Sequence, residues 1–469
     1  MKSEPNFKLS ELAQLKIHFI GIGGAGMSGI ARIMLAKGFS ISGSDKNDSS
    51  MLTALKALGA KIYVGHAAEN LADAQLVIVS SAITENNPEF AEAKSRGIPI
   101  AARAVALAWL MSESTSVAVA GTHGKTTTTA MLTVALQSAG LDPSFAIGGT
   151  INTAGINAHS GSGSIFVAEA DESDGSFLAY KPTGAVITNV ELDHVDHFAD
   201  EEAVYAVFED FISSIKVDGF LVACGDDQGV KTLLSRIKRN DLKIYLYGKG
   251  SSNDFRIDQI NLAPNSSRAI ISITGRKVGE LNLTVVGEHN LLNALAAFAA
   301  ATAMGGSEGK LLAGLKAFTG TRRRFELKGE VGGVKVIDDY GHHPTEVEVT
   351  LKAARNLAGT GRLIVIFQPH RYSRTAAFTN QFSKALSLAD FTYLLEVYAA
   401  SEKPIPGVSS LLIARGMKTE EVKFEPSMLQ VVSDVAEMAK SGDLIITLGA
   451  GDVSSLGEPI LQALANRFA

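Results

Sequence analysis

Residues 117–140 read VAVAGTHGKTTTTAMLTVALQSAG. Val117–Ala120 suits a strand buried on both faces, and AMLTVALQSAG holds a helical pattern up to a terminating glycine. Between them, Gly121-Thr122-His123-Gly124-Lys125-Thr126-Thr127 has the order of a phosphate loop: strand, glycine turn, lysine, hydroxyl, helix. In such a loop backbone amides cradle phosphate oxygens. Lys125, read as an exposed loop lysine, reaches the β- and γ-phosphates, and Thr126 holds a magnesium ion. The loop departs from G-x-x-x-x-G-K-[ST], because residue 119 is Val and only Thr122 and His123 stand between the glycines. It is therefore either a chance GK in a turn or the mark of a particular NTPase subclass.

The downstream strands decide between these. Ile165–Glu169 is an apolar run ending in Glu169-Ala170-Asp171-Glu172-Ser173-Asp174, and Ala185–Asn189 leads into Asn189-Val190-Glu191-Leu192-Asp193-His194. In a parallel sheet, both strand ends deliver acids and a histidine to the edge that carries the phosphate loop. Magnesium prefers oxygen ligands, so a histidine such as His194 suits a softer second metal position or a tolerance of manganese.

Upstream, Gly21-Ile22-Gly23-Gly24-Ala25-Gly26 follows the apolar run Ile17–Ile20 and opens a helix, fitting G-x-G-x-x-G. Gly21, Gly23, Gly24 and Gly26 let the backbone approach a diphosphate, and the helix N-terminus adds positive potential. Asp45, in SGSD, stands where an acid meets a ribose hydroxyl. The motif alone does not separate a nicotinamide dinucleotide from a UDP-sugar. In the last third, Asp338-Asp339-Tyr340-Gly341-His342-His343-Pro344 and Pro369-His370-Arg371-Tyr372-Ser373-Arg374 each follow an apolar strand. Arg371 and Arg374 are read as a bidentate clamp for an amino-acid carboxylate, and Tyr340, His342 and His370 as groups that orient or deprotonate an amine. Gly449–Asp452 is a strand-end turn. Arg322 and Arg323 are read as solvated linker charges.

Composition bounds these readings. The chain has 469 residues, 46% hydrophobic and 20% charged, with 43 basic against 49 acidic side chains. That is a globular composition without the basic field of a nucleic-acid binder. The single Cys224 allows no internal disulfide, the N-terminal MKSEPNFKLSEL lacks a signal-peptide core, and no apolar run has membrane length. A cytoplasmic protein with no nucleic-acid or membrane partner is expected. Strands alternate with helices throughout, with breaks at the polar SESTS (112–116) and at TGTRRRF (319–325). The fold expected is α/β in three domains: 1–114 Rossmann-like, 115–322 P-loop ATPase-like with a parallel sheet, and 323–469 Rossmann-like. Residues 255–286 turn β-like within the second.

Together, AGTHGKTTTT, EADESDGSF, NVELDHVDHF, EHNLLNA, RRRF, DDYGHHPTE and PHRYSR resemble the Mur ligase family of peptidoglycan precursor synthesis. HFIGIGGAGMSGIA is most similar to its branch that joins L-alanine to UDP-N-acetylmuramate. The resemblance implies an ATP- and magnesium-dependent ligase that passes through an acyl phosphate, with no covalent nucleophile and with closure that excludes water. It assigns Gly21–Gly26 and Asp45 to the UDP-sugar. Gly121–Thr127, His289, Asn290, Asn293, Arg324 and Asp339 go to ATP, and Thr126, Glu169 and His194 to the metal. Tyr340, His342, His370, Arg371 and Arg374 go to the amino acid. Lys125, Glu169, His194, Asp339 and His342 are the residues expected to carry catalysis. A related peptide ligase of murein recycling is the alternative, and a nicotinamide-dependent oxidoreductase a remote one. Several relatives are expected to carry a carbamylated lysine on the helix after the metal histidine. No lysine stands between His194 and Ile215, and Glu209 is the carboxylate expected in its place.

Overall fold

A computed structural model describes residue 5 and residues 7–152, 154–173 and 175–468. Asp174, last of the acid cluster, and most of the N-terminal MKSEPN lie outside the described residues. The chain divides into two compact units. The first holds the chain up to Val190 together with Tyr205–Phe255 and Ala296–Gly314; the second holds Glu191–Val204, Arg256–Leu295 and the chain from Leu315. Among the described residues, no helix is long and apolar enough to cross a membrane.

Two sheets build the first unit. One is parallel, in the order Lys61–Val64, Ser40–Asp45, Lys16–Ile20, Leu76–Val79, Ile100–Ala102. The chain reverses direction across the sheet at Lys16–Ile20, and the crevice beyond that strand's carboxyl end is where such sheets bind ligands. Gly21–Gly26 occupies this point.

The second sheet runs Lys243–Gly248, Phe220–Cys224, Gly184–Ile187, Thr115–Ala120, Ile165–Glu169, Ser144–Ala146 and the antiparallel Ala158–His159. Val117–Ala120 is buried on both faces, as its run of small apolar residues requires. The strand before the phosphate loop is thus flanked by the two strands that lead to Glu169 and to Asn189.

In the second unit, Ser266–Ile273 and Arg276–Leu283 pair antiparallel, with a register shift at Ile271/Ser272. The other sheet runs Glu326–Val331, Val334–Asp339, Leu444–Leu448, Leu363–Phe367, Phe391–Leu394, Val422–Phe424, parallel except for its first strand. Successive strand residues point to opposite faces. Leu363, Val365 and Phe367 pack under Val347, Leu351, Phe382 and Leu386, while Ile364 and Ile366 pack under Val431, Val435, Ile460 and Leu464. Helices therefore cover both faces, and the strand ends after Asp339, Phe367 and Leu448 share one edge.

Candidate active site

The first glycine loop is held by the strand beside it. Gly21 N and Ile22 N donate to Ser44 O, at 2.9 and 3.0 Å, and Gly23 N donates to Asp45 Oδ2 at 2.9 Å. Asp45 thus braces the loop with one carboxylate oxygen. A Cβ on Gly23 would stand 2.9 Å from that oxygen. The helix Ala25–Ala36 begins at Gly24 with no side-chain cap, so its first amides have no intrahelical partner and suit an anion.

Beside them lies Arg103, at the start of the helix Arg103–Ser112 and without a hydrogen bond or ion pair among the described residues. These groups line a cavity of about 260 Å³ that extends past Asn157 to Glu169 and Asp171. Asn157 Nδ2 donates to Ala25 O at 2.9 Å and ties the two sheets' loops together.

The phosphate loop turns sharply at Gly121 (φ +125°) and Gly124 (φ +80°), and Lys125–Ser138 forms the helix that follows. Thr122 N donates to Asn189 O, His123 N to Asn189 Oδ1, and Thr188 Oγ1 to His123 O, which fixes the turn against the neighbouring strand end. A Cβ on Gly121 would lie 2.1 Å from Thr188 Oγ1. Gly121→Ala is therefore expected to distort the loop, with roughly 1–3 kcal/mol of backbone strain before any clash. Turnover should fall far more than the melting temperature, and a variant with ordinary turnover would show that this turn is dispensable.

Lys125 is not the exposed loop lysine expected. Its side chain is 12% exposed, and Nζ donates to Gly121 O at 2.8 Å, Thr122 O at 3.1 Å and Glu172 Oε1 at 2.9 Å. Burial would lower its pKa, but Glu172, Asp171 and Glu169 outweigh that and raise it, so the ammonium keeps its charge. Thr126 Oγ1 donates to Glu169 Oε1 at 2.7 Å, and Glu169 Oε2 accepts from Gly148 N at 2.6 Å. A hydroxyl and a carboxylate side by side are hard oxygen donors of the kind magnesium takes. Thr127 is buried in the first turn.

His194, at φ +49°, belongs to the second unit, and its backbone amide donates to Asp193 Oδ1 at 2.6 Å. Glu209, the carboxylate expected in place of a carbamylated lysine, pairs with Arg236 at 3.5 Å, and Arg236 lies over the Tyr205 ring.

In the second unit, Asp339 is buried, with Oδ2 accepting from Phe325 N (2.7 Å) and Oδ1 from Gly341 N (2.8 Å) and Thr350 Oγ1 (3.2 Å). Burial pushes its carboxyl up to about 6, against the pull of Arg324. One oxygen thus serves the turn after Thr321, and the other the turn at Gly341 and the helix that follows it. Arg323 and Arg324 lie over the Tyr340 ring, at 4.9 and 5.0 Å. Arg322 is exposed, but Arg323 is no solvated linker charge: Nη2 donates to Gly449 O at 2.7 Å and Nε lies 3.4 Å from Asp338. Gly449–Asp452 is further tied to Gln368, whose Nε2 donates to Asp452.

His342 and His370 come together, ring centroids 5.6 Å apart, and Tyr340 stacks edge-on against His342. Burial lowers both histidines, His342 to about 3 and His370 to about 4, so both rings are neutral at ordinary pH and resist protonation. Arg371 and Arg374 do not form an open clamp. Arg374, 2% exposed, directs Nε and Nη2 at Asp193 Oδ1, at 2.8 and 2.7 Å, and Arg371 pairs with Asp196. Arg371 holds φ +71°, the kind of strained backbone that collects at functional turns.

His289 is pushed down to about 4 by burial, Asn290 Nδ2 donates to Val286 O at 2.7 Å, and Asn293 is half-buried one turn on. Arg103, Glu172, Asn189 and Asp193 are the residues of these clusters that the motifs did not single out.

Residues 16–115 match the Mur ligase family, catalytic domain; residues 119–301 its middle domain; and residues 323–451 its glutamate ligase domain. The chain belongs to the Mur ligase family. It is 50% identical to the UDP-N-acetylmuramate–L-alanine ligase of Renibacterium salmoninarum, over 96% of each chain. The crystal structure of the UDP-N-acetylmuramate–alanine ligase of Thermotoga maritima matches 97% of this Mur ligase and all of that chain, at TM-score 0.79 and 28% identity. A murein peptide ligase from Psychrobacter arcticus matches at TM-score 0.71 and 27% identity, over 96% and 99% of the two chains. The expected three-domain α/β fold holds for this Mur ligase.

Proposed function

We propose that this Mur ligase joins L-alanine to the lactyl carboxylate of UDP-N-acetylmuramate at the expense of ATP. The cavity of the first unit supports this reading best, because it leads from an uncapped helix N-terminus and an arginine unpaired among the described residues to the phosphate loop's acids. A nicotinamide site would need none of the second half of that path. The relatives named for the same reaction share half of the sequence along nearly the whole chain. The domains are taken as 1–114 for the UDP-sugar, 115–322 for ATP and 323–469 for the amino acid.

The lactyl carboxylate is a poor acceptor and must be activated. In-line attack on the γ-phosphate gives an acyl phosphate and ADP; the alanine amine then attacks the acyl carbon and phosphate leaves. Lys125 neutralises charge on the transferring oxygens, and Gly121–Thr127 holds the phosphates. Thr126 and Glu169 would hold magnesium, which supplies further charge neutralisation there; the imidazole of His194 would extend the set and tolerate manganese. His289, Asn290 and Asn293 serve the adenine side. Asp339 and Arg324 act through the turn they fix. Tyr340, His342, His370 and Arg371 hold the amine partner; the alanine ammonium gives up a proton to solvent and attacks as the free amine, which a neutral imidazole orients by accepting a hydrogen bond.

Phosphate release from ATP in the presence of UDP-N-acetylmuramate tests the assignment. Release that requires L-alanine is expected; release with the tripeptide instead would make the chain a peptide ligase. Arg103→Ala is expected to raise the UDP-N-acetylmuramate KM by about tenfold or more, as loss of one charge-assisted contact does, with the ATP KM unchanged. A rise in the ATP KM alone would move Arg103 to the nucleotide.

A further inference from the structure

The first sheet contains a buried polar cluster that the reaction does not use. Glu89 and His18 are both fully buried. The Glu89 carboxylate sits in the first turn of the helix Pro88–Ser95 and accepts from Ser44 Oγ, from Asn70 Nδ2 at 2.6 Å, and from Ala67 N at 3.2 Å. His18 Nε2 stands 3.4 Å and His66 Nδ1 3.5 Å from it. Burial would push this carboxyl up, but hydrogen bonds from His18, Ser44 and Asn70 outweigh it and hold it at about 2.

A carboxylate buried with so many donors is a costly way to fill space, since an apolar side chain of similar volume is often as stable. What it does hold is one hydroxyl. Ser44 gives its only hydroxyl proton to Glu89, so the nitrogen of His66 at 2.9 Å must be the donor of that second bond. The Ser44 hydroxyl is thereby fixed from two sides. The carbonyl of the same residue accepts both Gly21 N and Ile22 N, and the next residue, Asp45, accepts Gly23 N. Three consecutive amides of the glycine loop are thus oriented by a strand end whose own side chain is locked by Glu89. The residues that follow, Gly24 to Met27, open the helix Ala25–Ala36 without a side-chain cap and line the cavity.

We propose that Glu89, acting through Ser44, is a positioning residue for the glycine loop and so sets the affinity for the sugar-nucleotide diphosphate. The inference rests on the reading of that loop as the diphosphate cradle. Glu89 touches neither substrate nor the reacting atoms. Its loss should therefore appear in one Michaelis constant and spare the chemical step.

The test is steady-state kinetics of the full-length enzyme with Glu89→Ala, Glu89→Gln, Ser44→Ala and Arg103→Ala, each with its melting temperature. For Glu89→Ala and Ser44→Ala the UDP-N-acetylmuramate KM is expected to rise about tenfold, with kcat and the ATP KM within about twofold. Glu89→Gln keeps an acceptor for the Ser44 hydroxyl and should recover part of the loss. Ser44→Ala removes only a hydroxyl and keeps the test open if Glu89→Ala does not fold. A lowered melting temperature with an unchanged UDP-N-acetylmuramate KM in both variants, while Arg103→Ala still raises it, would make the cluster purely structural and overturn the proposal. If none of the variants moved that KM, the loop itself would not be the diphosphate cradle, and the proposal would fall with it.

Discussion

Lys125→Ala is expected to lower turnover by about a thousandfold or more, because a preorganised charge aimed at the transferring phosphate is removed from a water-poor site. The same change should also destabilise the protein. Glu172 is 3% exposed and ion-paired to Lys125 at 2.9 Å, and burial already raises its carboxyl to about 7, so the alanine removes the charge that favours its ionised form. Breaking a buried pair costs up to roughly 3–5 kcal/mol, and less where the acid takes up a proton. The two effects separate in the double variant Lys125→Ala/Glu172→Gln, where no acid is left to ionise. Its melting temperature should return most of the way to wild type while turnover stays lost. A folded single variant with near-normal turnover would remove the phosphate loop from the mechanism. Recovery of turnover in the double variant would show that the lysine matters only as a counter-ion.

Much of the fold is legible because parallel strands buried on both faces write themselves as short apolar runs. Leu76–Val79, Ile165–Glu169, Phe220–Cys224 and Leu444–Leu448 have the bounds that their apolar residues suggest. Strands that lack such a run escape. Ser144–Ala146 and Ala158–His159 are very short, and Glu326–Val331 is an edge strand whose residues are mostly polar and half-exposed. The site divides along a similar line. Motifs show which strand ends carry polar residues, since glycine turns and clustered acids are local in sequence. They do not show which side chain answers which. Nothing local pairs Arg374 with Asp193, 181 residues away, or Lys125 with Glu172, and Arg103 carries no local motif at all. Arg323 reads as a linker charge until the chain brings Gly449 and Asp338 to it.

The pairing of Arg374 with Asp193 gives the second large effect. Burial pushes the Asp193 carboxyl up, but Arg374 and the neighbouring histidines outweigh it and hold the acid well below the usual carboxylate range. Arg374 is itself 2% exposed, and its remaining Nη1 faces His370 Nδ1 at 3.3 Å. This guanidinium therefore fixes the loop that carries His194 as well as the ring of His370. Arg374→Met should cost about 3–5 kcal/mol, since the buried carboxylate of Asp193 keeps the His194 amide but loses its guanidinium counter-ion. Asp193→Asn should cost a comparable amount for the opposite reason, and the two losses should not add. In the double variant neither charge is stranded, so a double-mutant cycle is expected to show a coupling of about 2–3 kcal/mol, far outside the ~0.5 kcal/mol scatter of independent sites. Denaturant unfolding of the four proteins measures it. No coupling, with a melting temperature that holds in Arg374→Met while the alanine KM rises, would mean that Arg374 leaves Asp193 and grips the amino-acid carboxylate directly, the role its sequence motif suggests. Coupled losses place the arginine in the frame of the site, with Arg371 as the guanidinium nearer to solvent that is left to meet the alanine carboxylate.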